Sequence, residues 1–248
     1  MLRYWTAGES HGKSLLALVD GFPAGVPLDP AAIDAELKRR QGGYGRGGRQ
    51  RIESDTVDIR SGIWQGRSIG SPIALEVVNK DYKLERLHDL PRPRPGHGDL
   101  TGAIKFLGPI RNILERASAR ETTVRVAAGA LAKQLLAEFG ITALGYVVEL
   151  GGCAIPTPEA TLAEKRSLRD SSEIYSLQPS QDDELKQLID DAGKAGDTLG
   201  GILEVRVEGL PFGLGTHTQW DIKLDGRIAQ AVMATKSGHA GVSVTEKF

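Results

Sequence analysis

Apolar positions in this chain fall into short alternating runs and a few longer helical stripes. Leu2 to Thr6 predicts a short strand, and Leu15 to Val19 a second apolar strand or the start of a helix. Asp29-Pro30 followed by AAIDAELKRR predicts a helix with well-marked ends. Asp29 can cap it, Pro30 suits its first turn, Lys38 to Arg40 suit its negative end, and Gly42 stops it. Ile52 to Ile63 alternates in places between glycines and predicts strands; Ile73 to Val78 predicts a compact apolar one. From about Ala119 to Phe139, Ala, Leu and Val recur with a helical period, Gly140 closes the run, and Ser118 and Glu121 have capping-box spacing. Further along, Ile141 to Leu150 is β-rich, Asp182 to Ala192 a polar helix, Ile202 to Val207 an alternating strand, and Asp221 to Met233 a last helix. Strands and helices mix throughout, without a long repeat or a Ser/Pro/Gly linker. The expectation is one domain of α/β or α+β class, with the strand order left open.

Composition narrows the chemistry. At 248 residues the chain can bury a proper core without covalent staples. Its 31 basic and 32 acidic residues leave a formal charge of −1, so any polyanion must be met by a local patch. Cys153 is the one cysteine, which excludes an internal disulfide or a cysteine-built metal site and fits a reducing cytosol. No apolar run reaches the ~18 residues of a membrane helix. Nor does the N-terminus read as a signal peptide. A soluble, cytoplasmic protein is expected. Aromatic residues are only 5%, too few for an extended base-stacking platform.

Glycine and charge meet at four places. The first, Gly8-Glu9-Ser10-His11-Gly12-Lys13-Ser14, follows a strand and sets an imidazole between glycines that allow close backbone approach. It is not a nucleotide P-loop, because Ala7 stands where that motif needs glycine. The second, Arg39 to Arg51, holds five arginines, five glycines and no acid. Guanidinium forks suit phosphate and carboxylate, so a small multiply charged anion is the favoured ligand. Nucleic acid is the weaker alternative, since an RGG-like stretch occurs here in a single copy. The third is Arg92-Pro-Arg94-Pro-Gly96-His97-Gly98-Asp99, where prolines stiffen the approach to a second glycine-flanked histidine. The fourth, Arg116-Ala117-Ser118-Ala119-Arg120-Glu121, places two arginines at a helix start, where unpaired N–H groups and the dipole favour phosphate. Together they describe two imidazoles set among guanidinium groups, and hence acid–base chemistry on a phosphorylated polyanionic metabolite. Cations beside the imidazoles would disfavour their protonated form, and a bound anion would restore it.

In this order GESHG, RRQGGYGRGGR, RPRPGH and ERASARETTVRVAAGA resemble the chorismate synthase family, and GDTLGGILEV and PFGLGTHTQWDIKLDGRIAQAVM fit as well. The resemblance implies an α+β, β-α-β sandwich fold, a homotetramer, and a lyase of the shikimate pathway that makes the precursor of the aromatic amino acids. The reaction is the 1,4-anti-elimination of phosphate from 5-enolpyruvylshikimate 3-phosphate to give chorismate. It requires reduced FMN, with NADPH as reductant in bifunctional members, and no metal. Carried over by motif, His11 is the histidine near the departing phosphate and His97 the one that protonates reduced flavin. Arg40 and Arg46 belong to the anion-binding loop that serves substrate and nicotinamide cofactor. Arg94 and Arg120 are substrate-side arginines, Arg116, Ala117 and Ser118 the flavin-binding segment, and Ser10 a hydrogen-bond partner of substrate.

The resemblance runs over residues 1–233. Residues 234–248, ATKSGHAGVSVTEKF, depart from it, with Lys236 and Ser237 where a flavin-contacting pair is expected. A single domain truncated at its C-terminus is therefore expected. On that expectation it would lack the family's substrate-gripping arginine, its flavin-phosphate loop and its flavin-facing aspartate. The alternative reading is an inactive remnant that binds anions or nucleic acid through the arginine–glycine loop.

Overall fold

The computed structural model describes residues 2–47 and 52–235. Arg49, Arg51, Lys236 and Ser237 lie outside the described residues. Along the chain come β1 (Arg3–Ala7), β2 (Ser14–Asp20), α1 (Pro30–Gln41), β3 (Asp58–Ser61), the short hairpin of β4 (Ile63–Trp64) and β5 (Arg67–Ser68), and β6 (Ile73–Val78). There follow α2 (Asp99–Phe106), α3 (Ile110–Arg116), α4 (Thr122–Ala137), β7 (Thr142–Leu150) and β8 (Cys153–Ala154). The last elements are α5 (Leu162–Ser171), α6 (Asp182–Lys194), β9 (Gly201–Glu208) and α7 (Leu224–Met233).

The first sheet has the order β1-β2-β6-β3 with every pair antiparallel. Alternation decides its faces. Leu15, Ala17 and Val19 of β2 and Ile73, Leu75 and Val77 of β6 are buried against Ile33 and Leu37 of α1 and Val124, Ala127, Ala128 and Leu131 of α4. Each fully buried Leu or Ile there contributes roughly 1.5–3 kcal/mol of transfer free energy. Leu16 and Leu18 point to the opposite face and stay exposed. The second sheet, β8-β7-β9, is also antiparallel. Leu144 and Tyr146 of β7 pack with Leu162 and Leu177, while Ile155, Ile174 and Leu185 form a neighbouring cluster. Because α4 packs on β2 and β6 and also touches β7, it lies as a helical layer reaching both sheets. With every pair of strands in the described sheets antiparallel, the class is α+β rather than α/β.

Several elements differ from their sequence reading. Strand structure begins at Asp58, not Ile52, because the preceding stretch bonds to side chains of α1: Gln41 Nε2 donates to the Glu53 carbonyl, and Val57 N–H to Asp34. The Ser118–Glu121 capping box does not form. Ser118 Oγ accepts from Arg120 N–H through a single 3-10 turn, while the Glu121 carboxylate takes bonds from Thr6 and Arg125. A true capping box stands instead at Thr161 and Glu164, opening α5, a helix the pattern analysis passed over along with α2 and α3.

Candidate active site

The loop from Gly8 to Lys13 joins β1 to β2 and lies at the sheet end where β6 runs into Asn79 (Ser14 pairs with Val78). Gly8 takes φ 99°, and a Cβ there would sit 2.5 Å from the Ser14 carbonyl oxygen, so the turn needs glycine. Asn79 clamps the loop. Its amide nitrogen donates to the carbonyls of Glu9, Ser10 and Gly12 at 3.3, 3.2 and 2.8 Å, and its Oδ1 accepts from Arg120 Nε at 2.9 Å. Ser10 is buried; its backbone N–H donates to the Glu115 carbonyl at 3.0 Å, and its hydroxyl accepts from Ser118 Oγ at 3.0 Å.

His11 is held from α3. Its backbone N–H donates to Glu115 Oε2 at 2.8 Å, and its Nδ1 lies 3.0 and 2.9 Å from the two Glu115 oxygens. Nε2 lies 3.8 Å from Asp81 Oδ2, and Asp81 is paired with Lys83. The cationic surroundings expected for this imidazole are not found among the described residues: carboxylates lie on both sides of it, and the Arg111 guanidinium bonds to Glu115. Sequence gave no sign of this, because Glu115 is 104 residues away.

The arginines divide by what holds them. Arg120 is buried, with both Nη groups on Asp55 at 2.7 and 2.8 Å and Glu53 at 3.6 Å. It therefore closes an internal ion pair. Arg116 reaches back to β1, donating to the Thr6 carbonyl and hydroxyl and to the Gly8 carbonyl. Arg40 bonds Thr122 and the Ala119 carbonyl, with Asp55 at 3.6 Å. Burial pulls the Arg40 pKa down to about 10, opposed by Asp55 and reinforced by the repulsion of Arg120 and Arg46. Arg40 stays charged at neutral pH, and an anion among these three guanidinium groups would relieve the repulsion. Arg46 is exposed and holds only the Gly42 carbonyl through Nε, so its two terminal nitrogens are open to a ligand among the described residues. It lines a cavity of about 500 Å³ with Tyr44, Ser172 and Tyr175.

His97 and Arg94 are held by partners of their own. Arg94 makes a bidentate pair with Asp99 at 2.8 and 2.9 Å and adds its backbone N–H at 3.0 Å. His97 is exposed, with Nδ1 3.0 Å from the Pro95 carbonyl oxygen. Among the described residues no hydrogen bond or ion pair joins either to His11, Arg40 or Arg120. They belong to the loop entering α2, which docks on α3 so closely that a Cβ on Gly102 would lie 2.5 Å from Ile113. A second, wider cleft of about 920 Å³ lies between Gly213–His217 and Lys223–Ala229; His11 lines neither cavity.

The residues that sequence reasoning missed are the acceptors: Glu115, Asn79, Asp55 and Asp81. The one local hint was Arg111 four residues before Glu115, an ion-pair spacing on a helix. For an anionic cofactor the fitting donors are Arg46 and Arg40; the Ser118 hydroxyl hydrogen is engaged by Ser10, and the Arg116 fork is closed on β1. Among the described residues no group of three or more His, Cys, Asp or Glu side chains could hold a metal ion, and no helix is long and apolar enough to cross a membrane.

The comparisons with known proteins converge. The chorismate synthase from Geotalea daltonii is 51% identical over 250 residues, a match covering 96% of this chain and 64% of that protein. The one from Enterococcus faecalis is 49% identical over 249 residues, covering 94% and 64%. A solved chorismate synthase crystal structure superposes with a TM-score of 0.79 at 41% identity, over 94% of this chain and 66% of that one. The chain thus spans 64% of the length of these curated relatives. The family model described as chorismate synthase matches residues 2–246, running past Met233, where the sequence resemblance was expected to stop. With half of its residues shared and its fold reproduced, the chain belongs to the chorismate synthase family.

Proposed function

We propose that this chain carries the proton-donating and anion-binding half of a chorismate synthase site, acting on 5-enolpyruvylshikimate 3-phosphate. The observation that carries the reading is that the loop bearing the carboxylate-held imidazole of His11 is tied through the Ser10–Ser118 hydroxyl pair and Asn79 to Arg120, one of three guanidinium groups, with Arg40 and Arg46, that come from two separate segments. Arg46 and Arg40 grip the substrate's anionic groups, and His11 delivers a proton to the phosphate as its bond to carbon breaks. Loss of the C6 proton completes the 1,4-elimination with no net redox change. Arg120 acts through Asp55 and Asn79, holding the Ser10–His11 loop in place. Arg94 orders the loop that presents His97 to the cofactor.

The donor set fits a phosphate-bearing cofactor at Arg46 and Arg40, and reduced FMN is the one proposed. When bound it supplies electron density that eases phosphate departure and recovers it as the C6 hydrogen leaves. NADPH as reductant at Arg40 and Arg46, a homotetrameric assembly and a cytoplasmic location complete the proposal.

The test is anaerobic phosphate release from the substrate with photoreduced FMN. The protein should release phosphate and form chorismate, and His11→Ala should lower kcat by about 10²–10⁴-fold. Arg46→Ala should chiefly raise KM. An unchanged rate in His11→Ala would overturn the assignment. RNA binding with a steep salt dependence and no response to flavin would favour an anion-binding remnant instead.

A further inference from the structure

We infer that Glu115 is the positioning residue of His11, fixing the hydrogen on Nδ1 and leaving Nε2 as the nitrogen that exchanges a proton. The inference rests on the proposed proton-donating role of His11. An ionised carboxylate only accepts hydrogen bonds, so a ring nitrogen 2.9–3.0 Å from both its oxygens must carry the hydrogen. The neutral ring then bears its lone pair on Nε2, and the protonated ring carries its mobile proton there.

Orientation is held at several points. Glu115 takes the His11 backbone N–H at 2.8 Å with its side chain and the Ser10 N–H at 3.0 Å with its carbonyl. The ring and the backbone that bears it are thus tied to one residue. The Glu115 side chain is only 1% exposed, so water does not compete for its oxygens, whereas His11 is 20% exposed. Arg111, one helical turn back at 3.3 Å, pairs the carboxylate and orients it from α3. Among the described residues the ring faces the carboxylates of Glu115 from α3 and Asp81 from the stretch after β6, which are paired in turn with Arg111 and Lys83. Asp81 is itself oriented, because Glu53 accepts the backbone N–H groups of Lys80 and Asp81. Glutamine at position 115 has one acceptor and one donor on its amide. With its oxygen at the Oε2 place it can still accept the His11 backbone N–H, but its NH2 group then stands at the Oε1 place, 3.0 Å from Nδ1, where it donates to a bare nitrogen and opposes a protonated one, so the opposite tautomer becomes competitive.

Nitrogen NMR on histidine-labelled protein tests this without substrate. The chain has five histidines, so the His11 signals are identified by their loss in His11→Gln. Wild-type neutral His11 should show a protonated Nδ1 and an unprotonated Nε2; Glu115→Gln should lose that preference, and Glu115→Asp should keep it in part. In phosphate release, Glu115→Gln should lower kcat about 10–100-fold with KM within threefold, and Glu115→Asp should recover part of the loss. A wild-type His11 with its hydrogen on Nε2 overturns the inference without any variant at Glu115. An unchanged tautomer in folded Glu115→Gln overturns it too. If the tautomer follows Glu115 but His11→Gln releases phosphate normally, the positioning stands and the catalytic role of His11 falls.

Discussion

Arg120 and Arg46 carry the same guanidinium and serve opposite ends. Arg120 is enclosed by Asp55, Asn79 and Glu53, whereas Arg46 faces a cavity with its terminal nitrogens open among the described residues. Removing one partner of a buried pair leaves an uncompensated charge, which costs about 3–5 kcal/mol. Asp55→Ala should therefore lower stability by about that amount in urea titrations, at the lower end because Glu53 remains nearby. Arg46→Ala should stay within about 0.5 kcal/mol of wild type in the same titration. Both arginines were legible as anion-seeking groups. Which one meets an external anion was not, because the answer depends on where Asp55 falls in space, 65 residues before Arg120.

Among elements, the β1–β2 connection and the start of α5 are the most exposed to single changes. Gly8→Ala combines a left-handed φ of 99° with a 2.5 Å contact to Ser14, and should cost at least about 2 kcal/mol, read as a fall in thermal midpoint. Thr161→Ala removes the hydroxyl that accepts from Glu164 N–H and should cost about 1 kcal/mol. Local patterns announced α1, whose Asp29 cap and Pro30 are where the sequence put them. The start of α4 misled. Ser118-Ala-Arg-Glu121 has capping-box spacing, but Thr6 and Arg125 draw the Glu121 carboxylate away, and the helix starts at Thr122. One tertiary partner, Thr6, and one on the next helical turn, Arg125, together outweigh a cap bond worth about 1 kcal/mol.

At the scale of the molecule, acid is the informative perturbation. The Arg94 fork holds the buried Asp99 carboxyl down to about 2, from an ordinary 3.8. Burial pushes Glu36 up, but Lys133 and Arg39 overcome it and leave it below its ordinary value. Groups depressed in the folded state stabilise it above their unfolded pKa and lose that contribution as pH falls. Denaturation midpoints should thus hold from neutrality to about pH 4.5 and fall between about pH 4.5 and 2. Asp99 supplies about 1–2 kcal/mol of the loss, reduced by the solvent exposure of Arg94. Asp99→Asn should flatten the lower part of that fall in urea titrations. By itself the sequence determined the family, through its ordered motifs, and most of the main strands and helices, because glycine turns, capping residues and apolar periods act within a few positions. The tertiary structure alone decided which carboxylate holds His11 and which arginines are enclosed. Those outcomes depend on antiparallel pairing and helix docking that bring together residues a hundred positions apart, and hydrogen-bond partners at that separation leave no mark on local pattern.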